Sequence, residues 1–152
     1  MNQTIVQTPV GAALLTEQGG ALIRLVWGPQ APQGTESLEL AEARHQLAQY
    51  FAGERRRFEL PLRIEGSGFL KAVCAAMLAI PFGQTRTYGE IGAALGAPAQ
   101  AVGQACAANP LPIVVPCHRV LGADGLGGYS GAGGIETKVV LLRHEGAAGL
   151  LI

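Results

Sequence analysis

The sequence predicts an α+β protein, a small amino-terminal antiparallel sheet with one helix followed by a helical carboxy-terminal part that contains a helix-turn-helix. Three observations predict it. Ala21, Ile23, Leu25 and Trp27 alternate with the period of a half-buried strand. From Ser37 the apolar spacing changes to that of a helix. Beyond Glu65-Gly66-Ser67-Gly68, which reads as a linker, apolar stripes at helical spacing are each cut off by Pro or Gly. The boundary falls between residues 1–66 and 67–152.

Taken in order, Glu17-Gln18-Gly19-Gly20 has the composition of a hairpin turn leading into the alternating run. Leu40, Ala43, Leu47, Tyr50 and Phe51 share one helical face, with Gly53 placed to end the helix. Phe58, Leu60, Leu62 and Ile64 alternate with Arg57, Glu59, Pro61 and Arg63, a half-buried strand that Pro61 confines to a sheet edge. Phe69, Val73, Met77 and Ile80 form a helical stripe stopped by Pro81 and Gly83. Thr87 and Glu90 stand in capping-box spacing, opening a short helix through Ile91 and Leu95 that ends at Gly96. Pro98 suits the first turn of the next helix, through Ala101, Val102, Ala105 and Cys106, which breaks at Asn109-Pro110-Leu111-Pro112. Two short helices across a tight Gly/Pro turn have the pattern of a helix-turn-helix, a pattern that ordinary helical hairpins share. Gly122 to Gly134 is a glycine-rich loop, and Ile135, Val139 and Leu142 mark a last amphipathic helix ending near Glu145-Gly146.

Composition narrows the function. The 152 residues are 49% apolar, enough for a real core. The polar start Met1-Asn2-Gln3-Thr4 lacks the pattern of a secretory signal and no run reaches the length of a membrane span, so a cytoplasmic protein is expected. Three cysteines, Cys74, Cys106 and Cys117, argue for reduced thiols over a disulfide framework. Net charge is zero, with six basic and seven acidic residues in 1–69 and five and four in 70–152. A nucleic-acid partner, if there is one, is not held mainly by counterion release.

Chemistry concentrates in Ile113-Val114-Val115-Pro116-Cys117-His118-Arg119-Val120. A cysteine beside a histidine has three readings. The first is a buried structural thiol, since free cysteine is commonly buried. The second is a metal site, which the adjacency of Cys117 and His118 and the lack of C-x-x-C partners disfavour. The third is an activated nucleophile. A thiol of ordinary pKa is only about 3% thiolate at neutral pH, so it needs a neighbour to take its proton, and His118 is the candidate. Glu145 is the carboxylate that could orient the imidazole if the last helix folds back.

Longer-range matches decide among these. Asn109-Pro110, Val115-Pro116-Cys117-His118-Arg119-Val120, Gly128-Tyr129-Ser130-Gly131 and Leu141-Leu142-Arg143-His144-Glu145-Gly146 resemble the O6-alkylguanine-DNA alkyltransferase family, also called methylated-DNA-protein-cysteine methyltransferases. Gly68-Phe69, Ile80-Pro81-Phe82-Gly83, Thr87-Tyr88, Ala101-Val102-Gly103-Gln104-Ala105, Gln46-Leu47, Tyr50-Phe51-Ala52-Gly53 and Phe58-Glu59-Leu60-Pro61-Leu62 extend the resemblance over nearly the whole chain.

The resemblance implies a ribonuclease H-like amino-terminal domain and a single-turnover transferase that needs no cofactor and no metal. It implies that Cys117 accepts the alkyl group of O6-alkylguanine, and of O4-alkylthymine, in double-stranded DNA after the base is flipped out. His118 and Glu145 are then a water-linked proton relay, Asn109 braces the turn that holds the thiol, and Tyr88 donates to the leaving base. Gln100, Ala101 and Gly103 meet the DNA minor groove, and Val120, Tyr129, Ser130 and Gly131 line the base pocket. A monomer away from membranes is expected. The chain departs from the family pattern at Gln100, where an arginine is usual, and at Cys74, where tryptophan is common. The family's adaptive-response regulators carry an extra cysteine module that residues 1–73, which contain no Cys, lack.

Overall fold

The computed structural model describes residues 1–129 and 134–147, so the expectations for Ser130 and Gly131 lie outside the described residues. The chain divides into two compact units, Met1–Glu65 and Gly66–Ile152. The elements are α+β throughout.

In the first unit β1 (Asn2–Thr8), β2 (Gly11–Gln18) and β3 (Ala21–Trp27) form an antiparallel sheet in the order β1-β2-β3. The turn before β3 is the expected one, with Gly19 and Gly20 both at positive φ. Strict alternation fails in β3, where Leu22 and Ile23 are both buried. Glu17 pairs with Leu22 and Thr16 with Arg24, so Ile23 is the extra residue of a bulge, which lets two successive side chains turn inward. α1 (Leu38–Phe51) starts at Ser37, whose hydroxyl accepts from the Leu40 N–H. Its face of Leu40, Ala43, Leu47 and Tyr50 is fully buried, at about 1.5–3 kcal/mol for each large side chain.

Residues 57–64 keep the expected alternation of half-buried and exposed side chains but do not form a strand beyond one bridge, Leu22 to Leu62. Pro61 has no N–H to give to a ladder. The Glu59 N–H and C=O are taken instead by the side-chain amide of buried Gln46, at 2.9 and 3.2 Å. A glutamine side chain thus does the work of a neighbouring strand.

In the second unit α2 (Gly68–Leu78) is capped by Ser67. β4 (Arg86–Thr87) leads directly into α3 (Tyr88–Leu95), and the capping box of Thr87 and Glu90 is complete in both directions. Gly96 ends α3 in the left-handed conformation, and α4 (Ala99–Ala107) begins after Pro98, which serves as its cap and not as its first turn. The turn closes when the Ala97 N–H donates to the Gly92 carbonyl at 2.8 Å. A Cβ on Gly92 would stand 2.4 Å from the Ala97 oxygen, so the tight α3–α4 turn depends on that glycine.

Beyond Asn109 a short 3-10 turn, Cys117–Arg119, runs into β5 (Val120–Leu121), which pairs in parallel with β4. α5 (Ile135–Glu145) closes the unit and ends at Gly146 in the left-handed region. Of the apolar stripe expected on α5, only Leu142 belongs to its buried face. Ile135 is exposed and Val139 half-buried, whereas Thr137, Lys138, Leu141, Leu142 and Glu145 are buried. The inner face of α5 is partly polar because two of its side chains find polar partners inside the unit, as described next. No helix among the described residues is long and apolar enough to cross a membrane.

Candidate active site

The backbone ahead of Cys117 is unusually constrained. Ile113 has φ +74°, a region that β-branched residues avoid at a cost of about 1–3 kcal/mol. Pro116, at φ −81° and ψ 69°, makes an inverse γ-turn in which the Cys117 N–H donates to the Val115 carbonyl at 2.8 Å. The Asn109 side chain organises this stretch. Its amide donates to the same Val115 carbonyl at 2.9 Å and its oxygen accepts from the Leu111 N–H at 3.0 Å. The Asn109 side chain also favours the ionised form of the Cys117 sulfur. Burial pushes the Cys117 thiol up from its usual value, while the Asn109 contact and the charge of Lys138 pull it down.

His118 is fully buried, and its Nε2 lies 2.7 Å from Glu145 Oε2. The fold therefore brings the last helix back to the Cys-His pair. Glu145 also receives two bonds from Arg119, Nε to Oε1 at 2.8 Å and Nη2 to Oε2 at 3.0 Å, while Arg119 Nη1 donates to the Ile80 carbonyl at 2.6 Å. Burial raises the Glu145 carboxyl, but the bonds and charges of His118 and Arg119 outweigh it and hold the group at about 2. Burial, with the charges of Arg119 and Lys138, depresses the His118 pKa despite the Glu145 contact. The resting pair is thus a carboxylate and a neutral imidazole. With Nε2–H donated to Glu145, the proton-accepting lone pair is on Nδ1, which has no hydrogen-bond partner among the described residues.

In front of this pair is a cavity of about 370 Å³ lined by Tyr88, Gly103, Cys106, Ala107, Cys117, Gly128 and Tyr129. Of the residues expected from sequence it collects Cys117, Tyr88, Gly103 and Tyr129. Val120 is buried behind the wall, Gln100 is exposed and Ala101 half-buried on the first turn of α4, and none of the three lines the cavity. The Tyr129 hydroxyl is buried without a partner among the described residues. Burial raises the Tyr88 phenol and so keeps it protonated. Gly127, at φ +72°, brings the loop backbone against Tyr88, where a Cβ would meet the ring at 2.8 Å and the hydroxyl at 2.9 Å.

A thiol in a strained turn, a buried imidazole and carboxylate beside it and an adjoining cavity leave the chemical class open between acyl and alkyl transfer. Comparison with known proteins resolves the kinship. Residues 68–147 match the model of the 6-O-methylguanine DNA methyltransferase DNA-binding domain, and residues 1–64 match that family's ribonuclease-like domain. The chain belongs to the 6-O-methylguanine DNA methyltransferase family. It is 43% identical to the constitutive methylated-DNA–protein-cysteine methyltransferase of Bacillus subtilis, over 93% of each chain. It is 41% identical to the methylated-DNA–protein-cysteine methyltransferase of Methanosarcina acetivorans, over 97% of this chain and 99% of the other. Among solved structures, the O6-methylguanine methyltransferase of Mycobacterium tuberculosis superposes with a TM-score of 0.84 at 39% identity, covering 95% and 92% of the two chains. The Mycobacterium tuberculosis OGT in complex with DNA gives 0.82 at 41%, covering 93% and 91%.

Two side chains of this family member escaped the reading of its sequence. Arg119 carried the signal of its place in the Cys-His motif, but nothing said that it would turn inward to Glu145. Lys138 carried none, because a lysine on an amphipathic helix is ordinarily solvated. It is fully buried, with Nζ donating to the carbonyls of Val120 at 2.6 Å and Gly128 at 2.9 Å.

Proposed function

We propose that this protein repairs alkylated DNA by direct reversal, with Cys117 taking the alkyl group from O6-alkylguanine and keeping it. The observation that carries this reading is the placement of Cys117 at the cavity wall with the His118–Glu145 pair buried next to it, in a chain of this family. The Cys117 proton passes to the free Nδ1 lone pair of His118, whose new charge is balanced by Glu145. The thiolate attacks the alkyl carbon in line, forming the S–C bond as the C–O6 bond breaks, and the electron pair leaves with the guanine. Tyr88, protonated and at the cavity wall, donates a hydrogen bond or proton to the departing base. The proton taken by His118 returns through solvent to Tyr88, so that in sum Cys117 loses one proton and the base gains one, and the reaction balances without cofactor or metal. O4-alkylthymine presents the same alkyl-oxygen bond.

A thioether is not readily hydrolysed, so each molecule acts once. Incubation with a duplex carrying one O6-methylguanine is expected to raise the intact protein mass by a single methyl group, at Cys117, with product never exceeding one equivalent of protein. Multiple turnover with unchanged protein mass identifies a Cys-His hydrolase instead.

The target atom lies inside the duplex, so the nucleotide is flipped out at a cost of a few kcal/mol. α3 and α4 serve as a helix-turn-helix laid in the minor groove, with the small residues Ala101 and Gly103 allowing close approach. Such a wedge needs little net charge. Gln100, exposed at the start of α4, stands where it can hydrogen-bond the orphaned partner base but offers no charge or stacking plane. The variant Gln100→Arg is therefore expected to bind duplex DNA several-fold more tightly in a titration at fixed salt, and unchanged affinity removes Gln100 from the interface. The protein acts as a monomer in the cytoplasm.

A further inference from the structure

Lys138 is a buried ammonium that no anion among the described residues pairs with. Its three protons go to the Val120 and Gly128 carbonyls and, at 3.5 Å, to the Tyr88 hydroxyl, and its ammonium lies 5.7 Å from the Tyr88 ring centre. Among the described residues no carboxylate pairs with it, and the acidic side chains of its own helix are otherwise placed, with Glu136 exposed and Glu145 bonded to His118 and Arg119. Buried charges are as a rule paired, and a neutral donor would satisfy two carbonyls at less cost. Among the described residues, the titratable side chains that face the ammonium from neighbouring elements are site groups: Tyr88 from α3, Cys106 from α4, Cys117 and His118 from the 3-10 turn.

We propose that Lys138 is a positioning residue whose ammonium, bonded to Tyr88 and Gly128 of the cavity wall and paired with no described carboxylate, supplies the countercharge for Cys117 as a thiolate. The proposal rests on Cys117 being the nucleophile. The proton released by Cys117 goes to His118, and Lys138 neither gives nor takes one. Its bonds to Val120 in β5 and to Gly128 in the loop that borders the cavity hold the charge in place. Burial brings the Lys138 pKa down to about 8, which leaves it charged at neutral pH, and it acts on Cys117 in the same sense as the Asn109 contact. Cys74 and Cys106, pushed up to about 11 and about 12, stay thiols over the range where this matters.

The test uses a reagent that needs no DNA. The rate of Cys117 carboxamidomethylation by iodoacetamide, followed peptide by peptide from pH 5 to 10, gives the titration of this thiol alone. Lys138→Met is expected to move its midpoint up by about one pH unit or more and to slow the reaction at pH 7 by about tenfold, with Lys138→Arg recovering part of the shift. A strut that only holds the loop lowers the melting temperature and leaves the midpoint in place, and that result overturns the proposal. If Lys138→Met does not fold, the reciprocal measurement decides. The Lys138 ammonium titration, read by NMR, is expected to fall to lower pH in Cys117→Ser than in the parent protein, and an unchanged value overturns the proposal equally. Absence of methyl transfer by the parent protein, with the Lys138→Met midpoint shifted as expected, counts against the repair reading and leaves this one standing.

Discussion

Cys117→Ser is expected to abolish methyl transfer from O6-methylguanine DNA while preserving fold and duplex affinity. Serine fits the space of the thiol, can keep the Asn109 contact and leaves the turn at Pro116 untouched. What it lacks is an anion within reach of neutral pH. The buried site already opposes ionisation of the thiol, and a hydroxyl starts many units higher, so His118 has too little basicity to ionise it. The fall in rate is on the order of 10⁴-fold or more, as when the nucleophile of a catalytic triad is removed. Intact-protein mass after incubation with the lesion duplex, beside an electrophoretic binding titration, separates the two effects. Transfer that persists in the variant excludes Cys117 as the acceptor.

The second large effect is expected from Glu145→Gln, and it is as much structural as chemical. Glu145 is the single carboxylate on which both His118 and Arg119 converge. Its neutral amide leaves the Arg119 guanidinium buried without a countercharge, a loss of about 3–5 kcal/mol in unfolding free energy. Transfer is expected to slow by about 10²–10⁴-fold, because the imidazole loses both the group that orients it and the charge that balances its protonated form.

The pH dependence separates these contributions. The folded carboxyl sits at about 2 against an unfolded value of 4.5. Its contribution, about 3 kcal/mol, is therefore complete above pH 4.5 and disappears as pH falls through about 2. His118 acts in the same direction, because its folded pKa lies below the 6.5 of the unfolded chain. The unfolded state takes up a proton there first, so acidification below 6.5 already costs stability. Urea unfolding of the parent and Glu145→Gln proteins should give a stability difference that is flat from pH 5 to 7 and narrows towards pH 2. Equal stability at pH 7 shows that Arg119 finds its countercharge elsewhere.

Much of this arrangement was legible from residue order. Ser37, Thr87 with Glu90, and Gly96 are local signals whose physics is complete within four residues, and each appears in the structure where the spacing put it. The Cys-His pair and the returning Glu145 were legible as a chemical motif, and their meeting at 2.7 Å gives that motif its geometry. The misreadings share one cause. The run 57–64 has the alternation of a strand but only the one bridge to Leu22, because the Glu59 hydrogen bonds go to the Gln46 side chain, thirteen residues before it. The inner face of α5 is polar where apolar periodicity asked for Ile135 and Val139, because Lys138 and Glu145 have partners inside the fold.

Sequence by itself determined the class of the fold, most of the helix limits and the Cys-His motif, since propensity, capping and motif spacing act through neighbours along the chain. Only the tertiary structure decided how that thiol is set: the strained Ile113, the Asn109 brace, the Arg119 clamp on Glu145 and the buried Lys138 ammonium. The physical reason is desolvation. Whether a charged side chain is a solvated ornament or a strong electrostatic element depends on what surrounds it once water is gone, and those surroundings come from residues brought together by the fold from distant parts of the chain.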